Sequence, residues 1–479
     1  MTRAVIERPI ALTDAAGRMH QEVTTASPKA QAYYDQGIAF LASYAFVDAG
    51  RSFHEALRRD PELAMAHLML AKTYVNVDAI DDARRHLARA TALVAAGGPT
   101  EKEAAWIALG VQQRAAVEAP DAEQATKHWA YKAAIEALIA RDPADAHAWV
   151  LRGNAEEHGA WGRGQYGHVA SIAFYESALR RDPHHLGAYH FLTHSYENVG
   201  RYAEAAAHAQ VYAEAAHGVP HAQHMYGHVL PRLGRWEEAL VQFEKADRLE
   251  RAAYAALDVA PEEDWHHHHN LHLLGLIHLR LGHEADAARL FREAYGLDTR
   301  GQFGGGSAAP WIEYLLLRGR FDEALAAARE AEARTAVMAG LVGAALGGQA
   351  LVALGRTDEA KQALERAKDR YEALLAASAD TYYEPFAPRY AGPFIKTLEM
   401  EIELRGPNAA EAEAQMLAMA DEVARDPRID AWAAGLFHLQ RLAADARRAG
   451  KPDLAAALLA RVRAIDPTFP VAPGGATDR

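Results

Sequence analysis

A recurring phrase, Gly-Arg-aromatic-x-Glu-Ala, limits what this chain can fold into more than any other feature. It stands at Gly200-Arg201-Tyr202, Gly234-Arg235-Trp236 and Gly319-Arg320-Phe321, with worn copies at Gly282 and Gly355, at intervals of 34, 48, 37 and 36 residues. A period in the mid-thirties means stacked supersecondary units, each burying its apolar face only against its neighbours. Asp60-Pro61, Asp142-Pro143, Asp182-Pro183 and Asp466-Pro467 punctuate those units, because proline cannot continue a helix. The 479 residues are 50% apolar and 24% charged, enough for a large core, and none is cysteine. Disulfides, thiolate metal sites and cysteine nucleophiles are thereby excluded. Charges of 51 and 64 give a net −13, so nothing global draws the chain to nucleic acid or an anionic membrane. Met1 to His20 lacks the pattern of a secretory signal, which makes the cytoplasm the expected compartment. Ala336 to Gly355 approaches the length of a membrane span but is mostly Ala and Gly and holds Gln349, so it reads as a tightly packed helix.

A 34-residue frame laid on Ala30 puts Tyr33 fourth, Gly37 eighth, Phe40 eleventh, Ala49 twentieth, Phe53 twenty-fourth, Ala56 twenty-seventh and Pro61 thirty-second. In this pattern the chain resembles the tetratricopeptide repeat family. Further units start near Ala64, Ala146, Leu186, Pro220, His268, Gly305, Leu341 and Leu436, while 98–142 and 376–435 are helical in composition but fit the frame poorly. The resemblance implies an all-α, right-handed superhelix of about nine or ten helix pairs. We divide it into an N-terminal segment (1–29), N-terminal repeats with a degenerate pair (30–145), central histidine-rich repeats (146–304), further repeats (305–375), and a last region (376–479) holding an aromatic loop, degenerate helices and a terminal repeat.

Nineteen of the 25 histidines fall between His147 and His283, where random placement would put about seven. In the frame, His190, His224 and His272 take the fifth place of three consecutive units, His194 and His228 the ninth of two, and His221 and His269 the second. The resemblance implies that these places face the concave groove. His190/His194 and His224/His228 have i,i+4 spacing, so each pair shares one helix face and can chelate one ion. With His269 and His272, up to six imidazoles are expected to converge as one or two metal sites. His221, His268, Glu157, Glu197, Glu313 and Asp264 are the candidates for further ligands or for acceptors behind the imidazoles. Imidazole with an occasional carboxylate suits zinc, copper, iron or nickel without choosing among them. The plainer alternative is that related repeats copied histidines that only make interhelical hydrogen bonds.

The segment His221-Ala222-Gln223-His224-Met225-Tyr226-Gly227-His228, followed by His269-Asn270-Leu271-His272, is similar to a bacterial tetratricopeptide subgroup with His-Met-Pro-Ser-His and His-Asn-x-His motifs. That subgroup is distantly similar to the tetratricopeptide repeat protein 38 family. Here Tyr226-Gly227 stands where the subgroup has Pro-Ser, and the likeness covers roughly 186–285.

Other signals carry less. Gly162 to Gly167 spells the dinucleotide fingerprint but follows a helix where a strand is required, so no nucleotide cofactor is expected. Its glycines suit an extended inter-helix turn passing close to a neighbour. Gly304-Gly305-Gly306-Ser307 lacks the lysine of a P-loop and reads as a connection with Ser307 as helix cap. No Gly-x-Ser-x-Gly or His-Glu-x-x-His motif occurs. The aromatic loop with Tyr382, Tyr383, Phe386, Tyr390 and Phe394 is either a lid or ordinary packing, and Trp265, Tyr226 and Trp311 either line a pocket or fill the repeats.

The leading expectation is therefore a metal-binding protein with a small molecule in the groove beside the ion. An open coordination position would suit hydrolysis or dioxygen activation. Its rival is a non-catalytic scaffold whose groove takes a peptide. A third reading, a pH-responsive groove, follows from imidazoles that titrate near neutrality. Neither nucleic acid nor membrane is an expected partner.

Overall fold

The computed structural model describes residues 3–297, 308–378, 387–425 and 435–469. Among the described residues the regular structure is helical, with no strand. The chain forms two compact units, Met1–Leu233 with Val241–Val259, and Gly234–Leu240 with Ala260–Arg479. The first holds α1 (Arg3–Ile6), α2 (Pro28–Ala42), α3 (Phe46–Arg59), α4 (Ala64–Val75), α5 (Ile80–Ala95), α6 (Glu101–Val117), α7 (Asp121–Arg141), α8 (Ala146–Asn154), α9 (Val169–Leu179), α10 (Leu186–Asn198), α11 (Tyr202–Ala215) and α12 (Pro220–Val229). Helix α13 (Trp236–Leu257) contributes to each unit. The second continues with α14 (Trp265–Arg280), α15 (Glu284–Gly296), α16 (Ala309–Leu317), α17 (Phe321–Glu332), α18 (Val337–Ala353), α19 (Thr357–Ser378), α20 (Ala387–Glu403), α21 (Ala409–Arg425), α22 (Leu436–Arg448) and α23 (Pro452–Ile465).

Consecutive helices pack as hairpins, α2 with α3 and α4 with α5 in the first unit, α14 with α15 and α18 with α19 in the second. First helices of successive hairpins also touch, as in α2–α4, α4–α6, α10–α12 and α16–α18. The poorly fitting stretches follow the same plan, 98–142 as α6 and α7, and the described part of 376–435 as α20 and α21. No described helix is long and apolar enough to cross a membrane, and the span-like segment is α18, buried almost throughout. Gly304 to Ser307 and the loop residues Tyr382, Tyr383 and Phe386 lie outside the described residues.

The recurring phrase has a residue-by-residue cause. Gly200, Gly234, Gly282, Gly319 and Gly355 sit at φ of 70–80°, the left-handed turn that ends a helix and favours glycine. The following Arg N–H returns to the helix, Arg201 to Tyr196 O and Arg320 to Leu315 O. Its guanidinium then pairs with the Glu three residues on, at 2.6 Å in Arg201–Glu204, Arg235–Glu238, Arg320–Glu323 and Arg356–Glu359. The closing alanines, Ala205, Ala239, Ala324 and Ala360, are wholly buried.

Places eight and twenty-four lock the two helices of a hairpin. A Cβ on Gly37 would lie 2.4 Å from the Phe53 ring, one on Gly153 2.3 Å from Tyr175, and one on Gly275 2.5 Å from Phe291. Gly37→Ala is therefore expected to lower unfolding free energy by about 1–3 kcal/mol, because the ring must leave its rotamer or the helices must part. Equal urea midpoints for the variant and the parent would refute this account of the glycine.

Candidate metal centre

Helix α10 carries two of the expected ligands into the core of the first unit. His185 caps it, Nδ1 accepting from Ala188 N at 3.2 Å, and nearly every following residue to Glu197 is buried. Helix α12 starts on Pro220, whose fixed φ suits a first helical position, and buries His221, His224 and His228. The end of α2 supplies the third element, since α2 and α10 touch directly.

His190 Nδ1 lies 2.6 Å from Ala42 O at the end of α2. A carbonyl only accepts, so Nδ1 carries the proton and Nε2 presents a lone pair. That Nε2 stands 3.1 Å from His194 Nε2 and 3.1 Å from His221 Nε2. The ligand nitrogens of the three residues all lie within 4.8 Å of one another. Bonds of about 2.0–2.1 Å in a tetrahedral site place neighbouring nitrogens roughly 3.3–3.4 Å apart, close to the two spacings from His190 Nε2.

Burial holds two of the three imidazoles neutral. Desolvation pushes His190 down to about 4, against the opposing bond to Ala42, and His194 is driven well below its ordinary value by desolvation and then by His190 and His228. Both imidazoles are thus uncharged at neutral pH, the state in which they ligate. Two tyrosines enclose them. The Tyr212 ring stacks on His190 at 4.9 Å and 14°, and Tyr44 lies 4.6 Å from His190 and 5.1 Å from His221, ring centre to ring centre. Tyr44 turns back sharply at φ 56°, and its hydroxyl donates to Arg163 O at 2.7 Å.

Arg163 belongs to the inserted loop with the fingerprint spelling. Glu157 accepts from Arg163 N and Tyr166 N at 3.0 Å each, and Asn198 Nδ2 donates to Gln165 O and Gly167 O. A Cβ on Gly164 would strike Phe191 and one on Gly167 would come within 2.0 Å of Ser195 Oγ, so the glycines serve close approach to α10. Glu157 was expected behind an imidazole. It holds loop amides instead, because it lies three residues past the end of α8, where the chain enters that loop.

The remaining candidates distribute as follows. Glu197 does back an imidazole, its Oε1 lying 2.9 Å from His228 Nδ1 with both side chains buried. The His224 and His228 rings are 5.8 Å apart, and His224 packs edge-on against Phe243 at 5.1 Å. His269, His272 and His268 belong to the second unit. There Asp264 caps α14 by accepting from His266 N at 2.9 Å, so its carboxylate serves the helix end. Burial and the neighbouring histidines push His268 down to about 3. Glu313 pairs with Arg441 at 3.1 Å rather than with an imidazole, and it shares a pocket with His272, His438 and Arg441. The side chain of Trp265 lies outside the description.

Sequence reasoning ranked His221 below His224 and passed over Tyr44, Tyr212 and the Ala42 carbonyl. The available signal was the frame itself: place two of one unit can meet place five of the unit before it when neighbouring helices are staggered.

One family model matches the chain, under the description tetratricopeptide repeat, and it covers the end of α18 and most of α19. Residues 346–373 match the tetratricopeptide repeat. Of solved structures, the chain is similar to yeast Tom70 at 11% identity and TM-score 0.42, over 93% of this chain and 92% of that one. A tetratricopeptide repeat protein from Parabacteroides merdae aligns at 13% and TM-score 0.38, over 61% of this chain and 99% of that one. MamA protein aligns at 19% and 0.22, over 48% and 97%. No curated protein matches the chain in sequence.

Proposed function

We propose that this is a helical-repeat, metal-binding protein whose ion is held by Nε2 of His190, His194 and His221. The observation that carries the reading is that two buried ring nitrogens, of His194 and His221, each lie 3.1 Å from a third, His190 Nε2, whose tautomer Ala42 fixes with the lone pair inward. Three neutral nitrogen ligands suit zinc, copper, iron or nickel. They leave one coordination position for water or a small molecule, the arrangement of an open centre. In that position a bound ion would supply Lewis acidity or dioxygen activation. The chain's own part is to exclude bulk water with Tyr44 and Tyr212 and to keep His190 and His194 unprotonated.

Elemental analysis of protein purified without a histidine tag or metal resin tests the reading. About one equivalent of a single transition metal is expected. Protein that arrives empty and takes up none of zinc, copper, iron or nickel on titration would overturn it.

A second reading, an interaction scaffold, is favoured by the tetratricopeptide match at 346–373, since such repeats build binding surfaces for partner chains. It concerns a different part of the molecule and is compatible with the first.

A further inference from the structure

Between α1 and α2 the chain runs through residues 9–27 with no regular secondary structure, yet several of its main-chain groups are held by side chains and turns of the neighbouring helices. The Gln36 side chain accepts from Thr13 N at 2.8 Å and donates to Ala11 O at 3.2 Å. Asp35 accepts from Gln21 N, Gln31 donates to Gln21 O, and the same Gln31 accepts from Val23 N at 3.1 Å. Glu103 of α6 accepts from Thr24 N at 2.7 Å, and Gly218 N, in the α11–α12 turn, donates to Ala15 O at 2.9 Å.

A directed relay reaches a further carbonyl. Because His185 Nδ1 accepts from Ala188 N, its Nε2 carries the proton and donates to His147 Nδ1 at 3.1 Å. His147 Nε2–H then donates to His20 O at 2.9 Å. Three side chains of the segment enter the surface: Ala16 and Val23 are buried, and Gln21 accepts from the Tyr34 hydroxyl at 2.5 Å. A Cβ on Gly17, which sits at φ 82°, would lie 3.1 Å from Leu186 and 3.3 Å from the Ala215 carbonyl.

The face so covered is made largely by α2, α6 and α8, each the first helix of its hairpin. It reads both the N–H and the C=O of a chain that is irregular, with one turn at Asp14–Gly17, through side-chain amides, carboxylates and an imidazole. Main-chain bonds of this kind give affinity to an extended peptide, while small pockets for alternate side chains give selectivity. We propose that this face of the first unit is a binding site for a peptide, filled in cis by residues 9–25, and that it accepts the same segment in trans from a second copy of the chain. The tether raises the local concentration of the segment to about millimolar, so the cis form prevails until the link or the clamp is weakened. Exchange of one segment between copies is the ordinary route to a swapped dimer.

The test keeps the whole chain during folding. A protease recognition sequence inserted between Thr25 and Ala26 is cut after purification, and the cut protein is mixed with a fluorescent synthetic peptide of residues 3–25. The severed fragment is expected to co-elute with the body on gel filtration. Labelled peptide should replace it with a Kd of about 1–100 μM, the range left when main-chain bonds supply most of the affinity. A scrambled peptide should not compete, and Gln31→Ala/Gln36→Ala should weaken binding at least about tenfold. Circular dichroism of the cut protein confirms that the body stays folded. A folded body that binds no labelled peptide at several hundred micromolar overturns the proposal. So does a fragment that stays bound but fails to exchange over a day in tenfold excess, and so does equal binding of the scrambled sequence.

Discussion

His221→Ala is expected to lower metal affinity by about two orders of magnitude or more, while His224→Ala keeps the ion. Both residues lie on α12, both are buried, and both replace imidazole with methyl, so loss of helix or creation of a cavity affects the two alike. What separates them is geometry. His221 Nε2 is 3.1 Å from His190 Nε2, whereas the His224 ring packs against Phe243 and sits 6.0 Å from His221, centre to centre. His438→Ala, in the second unit, should leave the metal content unchanged and serves as a control. Competition titration with a chromophoric chelator reads all three at neutral pH, where protons do not compete for His190 and His194. Equal affinity in the His221 variant and the parent would remove this residue from the site, and loss in the His224 variant alone would move the site along α12.

That contrast marks how far the sequence could be read. The helix pairs were legible because glycine, arginine, glutamate and alanine each answer a local need at a fixed offset, and the locks at Gly37, Gly153 and Gly275 show as small residues paired with aromatics. The region of the histidine cluster was legible for the same reason. The choice among the histidines was not. His190 and His194 share a helix face by spacing alone, but whether His221 or His224 joins them depends on the stagger of α10 against α12, a tertiary quantity. Ala42 and Tyr44 were invisible for a stronger reason, since the contact of Ala42 with His190 spans a separation in sequence of 148 residues and Tyr44 meets the same histidine from two residues further on. Glu157 looked like a carboxylate behind an imidazole, and the insertion that claims it follows no repeat rule.

The second large effect concerns that carboxylate. Burial raises Glu157 from 4.5 to about 7, with the amides of Arg163, Tyr166 and Gly164 opposing the rise. Its folded pKa lies above its unfolded one, so between pH 4.5 and about 7 the folded chain binds more protons than the unfolded chain. Stability from this group is present in full below pH 4.5 and is lost as pH rises to about 7. The shift corresponds to on the order of 3 kcal/mol. Urea unfolding of the parent and of Glu157→Gln at pH 5 and pH 7.5 isolates the contribution. The parent should lose stability relative to the variant across that interval by about this amount, and parallel profiles would dispose of the assignment. The loop that Glu157 holds also positions the Arg163 carbonyl on Tyr44, so the variant should bind metal more weakly than the parent at both values of pH.

The hydrogen bond from His190 to Ala42 has a kinetic consequence. Hairpins such as α2–α3 and α10–α11 close on near neighbours and form early, but the ring nitrogens acquire their arrangement only after the end of α2 has met α10 across more than a hundred intervening residues. Closing so long a loop is slow relative to local helix pairing. An ion held at the proposed site would therefore not nucleate folding in the way it does for small zinc modules. If the site binds an ion as proposed, the ion enters late, into a first unit already assembled, and in a refolding experiment the rate of metal uptake should be set by docking of α2 on α10 rather than by metal concentration.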